Sequence, residues 1–558
     1  MIRYLCLAFL VLIHSAVHAD NKASGWAIAS AHPLATYAGL EMLYQGGTAF
    51  DAAVAVSAAL AVVEPSGSGL GGGGFWLLHD QQKQTDHFID GRETAPKAAH
   101  ADMYLDKNGQ ANSNLSRNGP LAAAIPGLPA ALVHLAEHYA TLPLTTLLAP
   151  AIGYAEQGFP ISEHYRKLIE FRRPILQSYP DSAVFLADGN VPEIGWVLKQ
   201  PDLAQTLKQI ANKGHHGFYH GPIANKLVNS VRDHGGIWTL SDLARYRVVE
   251  RPVLYSDYQG IKITSAPLPS SGGIVLSQAL NILSGFKLDE RSEVSRKHLI
   301  VESLRRAYRD RAHHLGDSDF VKVPVQRLIS PGYAADLRAG IDLHQATASA
   351  TLAPHPLPAS GTGADTTHFS IIDSQGNRVA ATLSINFPFG SGFVARGTGV
   401  VLNNEMDDFV SQPGAGNGYG LTGSAANRIE PGKRMLSSMT PTFLEDSNRI
   451  AVLGTPGGSR IISMVLLGVL DFAQGHDPES WVRVKRFHHQ FLPDEVQFER
   501  GGLTLAEQNA LNAMGHRLKP LTREYGNMQA VLYNKLTAQY QAASDPRGEG
   551  LALSRNGH

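Results

Sequence analysis

The chain has 558 residues, 43% of them hydrophobic and 17% charged, with 55 glycines and 31 prolines. That composition suits a folded body with a large core and many tight loops, and excludes a fibrous or disordered chain. Its 48 Lys and Arg are matched by 49 Asp and Glu, so no net field draws it to nucleic acid or an anionic membrane, and a small-molecule partner is expected.

At the N-terminus, Met1-Ile2-Arg3, an apolar run from Leu5 to Ile13 and Ala16-Val17-His18-Ala19 read as a secretory signal peptide (residues 1–19) cut after Ala19. The run is too short for a membrane span, which needs about 20 apolar residues. The only cysteine, Cys6, lies in this segment, so the mature chain forms neither a disulfide nor a cysteine-ligated metal site. An exported location, periplasmic or secreted, is expected, with no membrane attachment after cleavage.

Residues 47–65 are rich in Ala and Val, carry Thr48 or Asp51 as a cap and stop at Glu64-Pro65, which predicts a buried helix. Gly67, Gly69 and Gly72 then satisfy G-x-G-x-x-G. The order here is helix, loop and strand (75–78), the reverse of a dinucleotide site, so these glycines are expected to pack backbone against backbone. Helices are predicted at residues 126–138, 145–157 and 298–314. The pairs His215-His216, His313-His314 and His488-His489 lack metal-ligand spacing, and neither a metal nor a cofactor is expected.

Residues 345–364, rich in Pro, Ala, Ser, Gly and Thr, read as a solvated linker in which a break costs the fold little. A hairpin follows Asp365, turning at Ser374-Gln375-Gly376-Asn377. Strand alternation puts Thr366, His368 and Ser370 on one side, with Thr382, Ser384 and Asn386 on one side of the return strand. Phe369, Ile371, Ala381, Leu383 and Ile385 take the other side. By pattern alone this is a sheet with one wet face; the sharper reading is a hydroxyl and amide cluster around a nucleophile. Taken alone, Arg92-Glu93 is a surface ion pair, Asp407-Asp408 a loop or helix cap, and Gly457-Gly458 a turn.

The segments GSGLGGGGFWLL, DGRETAP, DTTHFS, LSIN, VVLNNEMDDF, KRMLSSMTPTF, GTPGGSRII, KRFHHQFLPDE and SDPRGEG occur in an order and approximate spacing that resembles the gamma-glutamyltransferase family of N-terminal-nucleophile hydrolases. The resemblance covers nearly the whole mature chain. It implies an α+β fold, an αββα four-layer sandwich built from two subunits of one precursor: a large one (residues 20–365) and a small catalytic one (366–558). The cut between Asp365 and Thr366 would be autocatalytic.

Cleavage would leave Thr366 with both a hydroxyl nucleophile and a free α-amine, whose reference pKa of about 7.7 to 8.0 suits a base near neutrality. The resemblance implies a gamma-glutamyl ester on Thr366, passed to water (glutathione hydrolysis) or to an amino acid or dipeptide (transpeptidation). Gly457 and Gly458 match the oxyanion-hole pair. Arg92 matches the residue that pairs with the glutamyl α-carboxylate, aided by Ser437 and Ser438. Glu405 and Asp408 match the ammonium-binding positions, with Asn386 assisting. Opposite charges are thus expected at opposite ends of the pocket.

Ser384 stands where many relatives have threonine, at a hydroxyl that supports the nucleophile during processing. FPFGSGF departs from the family's usual wording after LSIN. Residues 413–420 resemble a lid, with Tyr419 at the gating position. Two alternatives stay open: a glutaryl or cephalosporin acylase of the same superfamily, which needs no ammonium site, and an unprocessed, noncatalytic exported binding protein.

Overall fold

In the computed structural model, residues 25–352, 366–412 and 416–557 are described. The signal-peptide segment, Asp365 and the first residues of the lid-like segment lie outside them.

Thirteen strands form the two main sheets. They are β1 (Trp26–Ser30), β2 (Gly73–Asp80), β3 (Thr85–Gly91), β4 (Val249–Arg251), β5 (Leu254–Tyr258), β6 (Ile261–Ser265), β7 (Thr367–Ile372), β8 (Arg378–Ser384), β9 (Thr442–Glu445), β10 (Arg449–Gly454), β11 (Gln529–Asn534), β12 (Gln539–Ser544) and β13 (Leu551–Arg555). One sheet runs β13-β1-β7-β8-β2-β3-β4 and the other β12-β11-β10-β9-β6-β5, with every pairing antiparallel. Helices α1 (Pro33–Tyr44), α2 (Ala49–Val63), α3 (Leu128–His138) and α4 (Leu144–Gln157) cover the outside of the first sheet; α5 (Gly272–Leu283), α6 (Glu293–His314) and α7 (Ile461–Ala473) cover the second. This is the expected αββα sandwich.

Helix α2 forms as its sequence dictates. Thr48 and Asp51 close a reciprocal capping box, and all fifteen helical residues are buried. The glycine loop that follows also behaves as read. A Cβ on Gly71 would sit 2.0 Å from Val401 O, and one on Gly72 would sit 2.1 Å from Ser384 O, so no side chain fits where these backbones meet.

The β7–β8 hairpin sets Thr382 opposite His368, and Asp373 gathers the turn by accepting from the backbone N–H groups of Gln375 and Asn377. Its polar face, however, is not wet. Thr366, His368, Ser370, Thr382, Ser384 and Asn386 are all buried, because the second sheet packs over them. His368 bonds Thr382 Oγ1 at 2.8 Å and Ser370 Oγ at 3.1 Å, and Ser370 donates to the Gln529 carbonyl of β11 at 3.0 Å. The alternation that resembles a solvated face is a hydrogen-bonded seam between two sheets, satisfied internally as burial requires.

The expected linker also begins later than its composition suggests. Ala346 donates to the Met514 carbonyl, Thr347 N–H to Glu302 and Ser349 N–H to Asp494, and Ser349 is buried. Residues 353–365 lie outside the described ones.

Candidate active site

A cleft of about 290 Å³ opens at the head of β7. It is lined by Thr366, by Ser384 and Asn386 at the end of β8, by Arg92 after β3, and by Glu405, Asp408, Tyr419, Ser437, Ser438 and Gly458. The structure thus gathers these ten sequence-predicted residues, drawn from segments more than 300 positions apart. Gly457 stands one residue behind the wall, with φ of +139°, and Gly458 has φ of +57°, backbone that favours glycine.

Local structure explains the gathering. Asn403 accepts from the N–H groups of Ala124 and Glu405 and donates to the carbonyls of Gly71 and Ala124, tying the Glu405–Asp408 turn to the glycine loop. Asn386, itself at φ +74°, donates from Nδ2 to the Asn404 carbonyl, and its N–H donates to Ser384 Oγ at 2.8 Å. Ser437 N–H donates to the Pro269 carbonyl, fixing the serine pair. The two asparagines of NNEMDDF therefore build the wall, a role sequence reasoning missed although the motif contained them.

The charge arrangement differs from expectation. Arg92 and Glu93 are not a surface pair: they are 1% and 0% exposed. Nor do the charges stand at opposite ends, since Arg92 donates to Glu405 Oε2 at 2.7 Å and to Asp408 Oδ2 at 2.6 Å, while Glu93 approaches it at 3.5 Å. Three carboxyls thus surround one guanidinium. Burial raises the pKa of Glu93 well above the usual range, the Glu405 charge adds to it, and Arg92 opposes it. Asp408 is raised for the same first reason, against the pull of Arg92. Burial acts to lower Arg92, and the three acidic neighbours outweigh it.

A second cation, absent from the sequence reading, stands behind the serines. Arg311 of α6 is 5% exposed and donates to Ser271 Oγ at 2.9 Å and to Ser438 Oγ at 3.3 Å, with no ion pair among the described residues. Nothing in its local sequence, RDRAHH, separates it from a surface helix; only the fold brings it to the cleft.

Tyr419 lies across the cleft. Its ring stacks on Phe387 at 5.4 Å and 2° between planes, its hydroxyl donates to the Asn386 carbonyl at 2.9 Å, and a Cβ on Gly458 would come 2.2 Å from Cε1 of the ring. Phe387, where FPFGSGF begins to depart from the family wording, is thus the stacking partner of the tyrosine expected at the gating position.

Among the described residues the adjacent histidine pairs join no group of three ligand residues, whereas His298, Glu302 and His516 converge with ligand atoms within 4.8 Å of one another. Glu302 is held there by Arg305 and Arg306, and His298 bonds His516 at 2.8 Å, which accounts for the cluster as a buried polar junction.

Two helix-covered antiparallel sheets with a threonine at the head of an inner strand make this an N-terminal-nucleophile hydrolase fold. The gamma-glutamyltranspeptidase family profile matches residues 35–554, and the chain belongs to that family. It is 40% identical to the glutathione hydrolase proenzyme of Pseudomonas aeruginosa over 95% of this chain and 94% of that one. Among solved structures, cephalosporin acylase from Bacillus halodurans superposes with a TM-score of 0.84 at 28% identity, covering 96% of this chain and 97% of that one. Gamma-glutamyltranspeptidase of Helicobacter pylori matches with a TM-score of 0.56 at 38% identity, covering 57% of this chain and 92% of that one.

Proposed function

We propose that this chain is the precursor of a glutathione hydrolase and gamma-glutamyltransferase, exported to the periplasm and cut between Asp365 and Thr366 into a two-subunit enzyme. The observation that carries the reading is the convergence of Thr366 with Arg92, Glu405, Asp408, Ser437 and Ser438 on one cleft. Thr366 Oγ attacks the gamma-carbonyl carbon, its α-amine takes the hydroxyl proton, and the oxyanion is held by the N–H groups of Gly457 and Gly458. Collapse forms the ester and releases the amine, which carries that proton away. Water or an amino-acid or dipeptide amine then attacks the ester carbonyl, its proton passing through the Thr366 α-amine to Oγ, which leaves as the restored hydroxyl.

Recognition works by partner exchange. A glutamyl group carries a carboxylate and an ammonium, so on binding the carboxylate takes Arg92 and the serines while the ammonium takes Glu405 and Asp408. Each charge of the incoming zwitterion meets an opposite charge already in the cleft, which offsets part of the cost of opening the existing Arg92 contacts.

The likeness to an acylase favours a second reading, hydrolysis of glutaryl amides. A glutaryl group lacks the ammonium, so Arg92 would leave two acidic groups without a counterion. The test compares kcat/KM for gamma-glutamyl and glutaryl anilides in wild type and Asp408→Asn. A strong glutamyl preference that erodes in the variant supports the transferase reading; equal values in the wild type replace it with the acylase.

A further inference from the structure

A second cleft, of about 400 Å³, lies on the other flank of the nucleophile's strand. It joins two motifs that the reaction does not use: Glu64, from the end of α2 ahead of the glycine loop, and Glu549, from SDPRGEG near the C-terminus. Among the described residues, neither Arg nor Lys lines it. Val63, Phe159, Ile161 and Tyr165 form an apolar and aromatic part of its wall, and two histidines, His32 and His164, also face it.

Two enclosed polar atoms here have no hydrogen-bond partner among the described residues, Glu64 Oε2 and the hydroxyl of Tyr165, whose side chain is only 5% exposed. Native interiors rarely tolerate such groups, and each one calls for a donor or acceptor from elsewhere. Glu549 Oε2 takes a hydrogen bond from Ser162 Oγ at 2.7 Å, which fixes its carboxylate at the cleft. Burial pushes the Glu64 carboxyl up to about 8, the Thr367 hydroxyl opposes this, and the charge of Glu549 adds to it. A bound cation between the two acids would relieve that repulsion.

We infer that this cleft is a binding site for a primary ammonium ion with a small apolar body and no carboxylate of its own, held by Glu64, Glu549 and Tyr165. The chemistry of the wall selects that class. An anion, or the carboxylate of a free amino acid, meets two acids and, among the described residues, no Arg or Lys, while burial lowers His32 to about 4 and keeps that imidazole uncharged near neutrality. A chelated metal lacks a third ligand, since among the described residues the only grouping of three is His298, Glu302 and His516. An ammonium supplies three N–H donors for the acids and the tyrosine, and its organic body covers the apolar wall.

The site is composite and lies next to the chemistry. Its walls come from both sides of Thr366 in sequence, and a Cβ on Gly67 would lie 3.2 Å from Glu64 Cδ and 3.3 Å from the Thr366 carbonyl oxygen, so one glycine separates the ligand's acid from the nucleophile. The inference stands on this cleft alone and survives even if the glutamyl reading fails.

The test is calorimetric titration of the purified wild-type protein with benzylammonium chloride near pH 8, with excess L-glutamate present to fill the Arg92 cleft. One saturable site is expected. Affinity should fall about tenfold in Glu64→Gln and in Glu549→Gln, and several-fold in Tyr165→Phe; Asp408→Asn should leave it unchanged, and sodium benzoate should give no binding heat. The half-exposed Glu549 and the Tyr165 hydroxyl keep the test decisive if Glu64→Gln does not fold. Absence of saturation in the wild type, full affinity in both Glu549→Gln and Tyr165→Phe, or loss of binding in Asp408→Asn overturns the site.

Discussion

Arg92 and Asp408, 316 positions apart in the chain, meet at 2.6 Å, so the guanidinium assigned to the substrate's carboxylate is bonded to an acid assigned to its ammonium. The pair is a stand-in for the zwitterion it is proposed to receive. A site of this kind holds its charges in place without substrate, and selectivity then depends on geometry as much as on charge.

Arg92→Lys keeps the charge but cannot serve Glu405 and Asp408 with two separate nitrogens. One lost charge-assisted hydrogen bond is worth about 1.5 to 3 kcal/mol, so kcat/KM on a gamma-glutamyl anilide should fall roughly 10- to 100-fold, chiefly through KM, with processing intact. Unchanged kinetics remove Arg92 from the site.

Arg311→Gln removes the cation behind Ser438 while keeping a donor for its hydroxyl. The expected outcome is a several-fold rise in KM at nearly constant kcat, read by steady-state kinetics; a fall in kcat alone would mean that Arg311 acts elsewhere.

Gly458→Ala places a methyl group 2.2 Å from Tyr419 Cε1 on backbone at φ +57°. Both the tyrosine and the oxyanion donor must shift, and kcat should drop about a hundredfold. A variant with wild-type kcat separates Gly458 from the chemistry.

His368 is buried in the inter-sheet seam, which lowers its pKa to about 3. The unfolded chain therefore binds a proton near pH 6.5 that the folded chain refuses, so the stability this residue contributes is present above pH 6.5 and is lost as the pH falls toward 3. Thermal melts of wild type and His368→Gln should differ most above pH 6.5 and converge in acid. A gap that stays constant with pH means that folding does not shift the His368 pKa.

Much of this was legible in the chain. The α2 helix, the glycine loop and the hairpin follow from capping, spacing and alternation, which are local. The resemblance located ten residues of the cleft because each sits in a contiguous motif. What stayed hidden depends on contacts across hundreds of positions. Period-two alternation in β7 and β8 reports two different faces but not what covers them, so by pattern alone a buried seam is indistinguishable from a wet face. Arg92-Glu93 has the composition of a surface pair, and only the packed turn at Glu405–Asp408 shows it enclosed. Arg311 carries no local mark at all.

The central claim is that Thr366 becomes the N-terminus of a second subunit and is the nucleophile. Denaturing electrophoresis of the purified protein, with N-terminal sequencing of each band, tests it most directly. The account predicts two bands in the wild type, the smaller beginning Thr-Thr-His, and one intact, inactive chain for Thr366→Ala. Two fragments from Thr366→Ala, or an active wild type that remains a single chain, would contradict it.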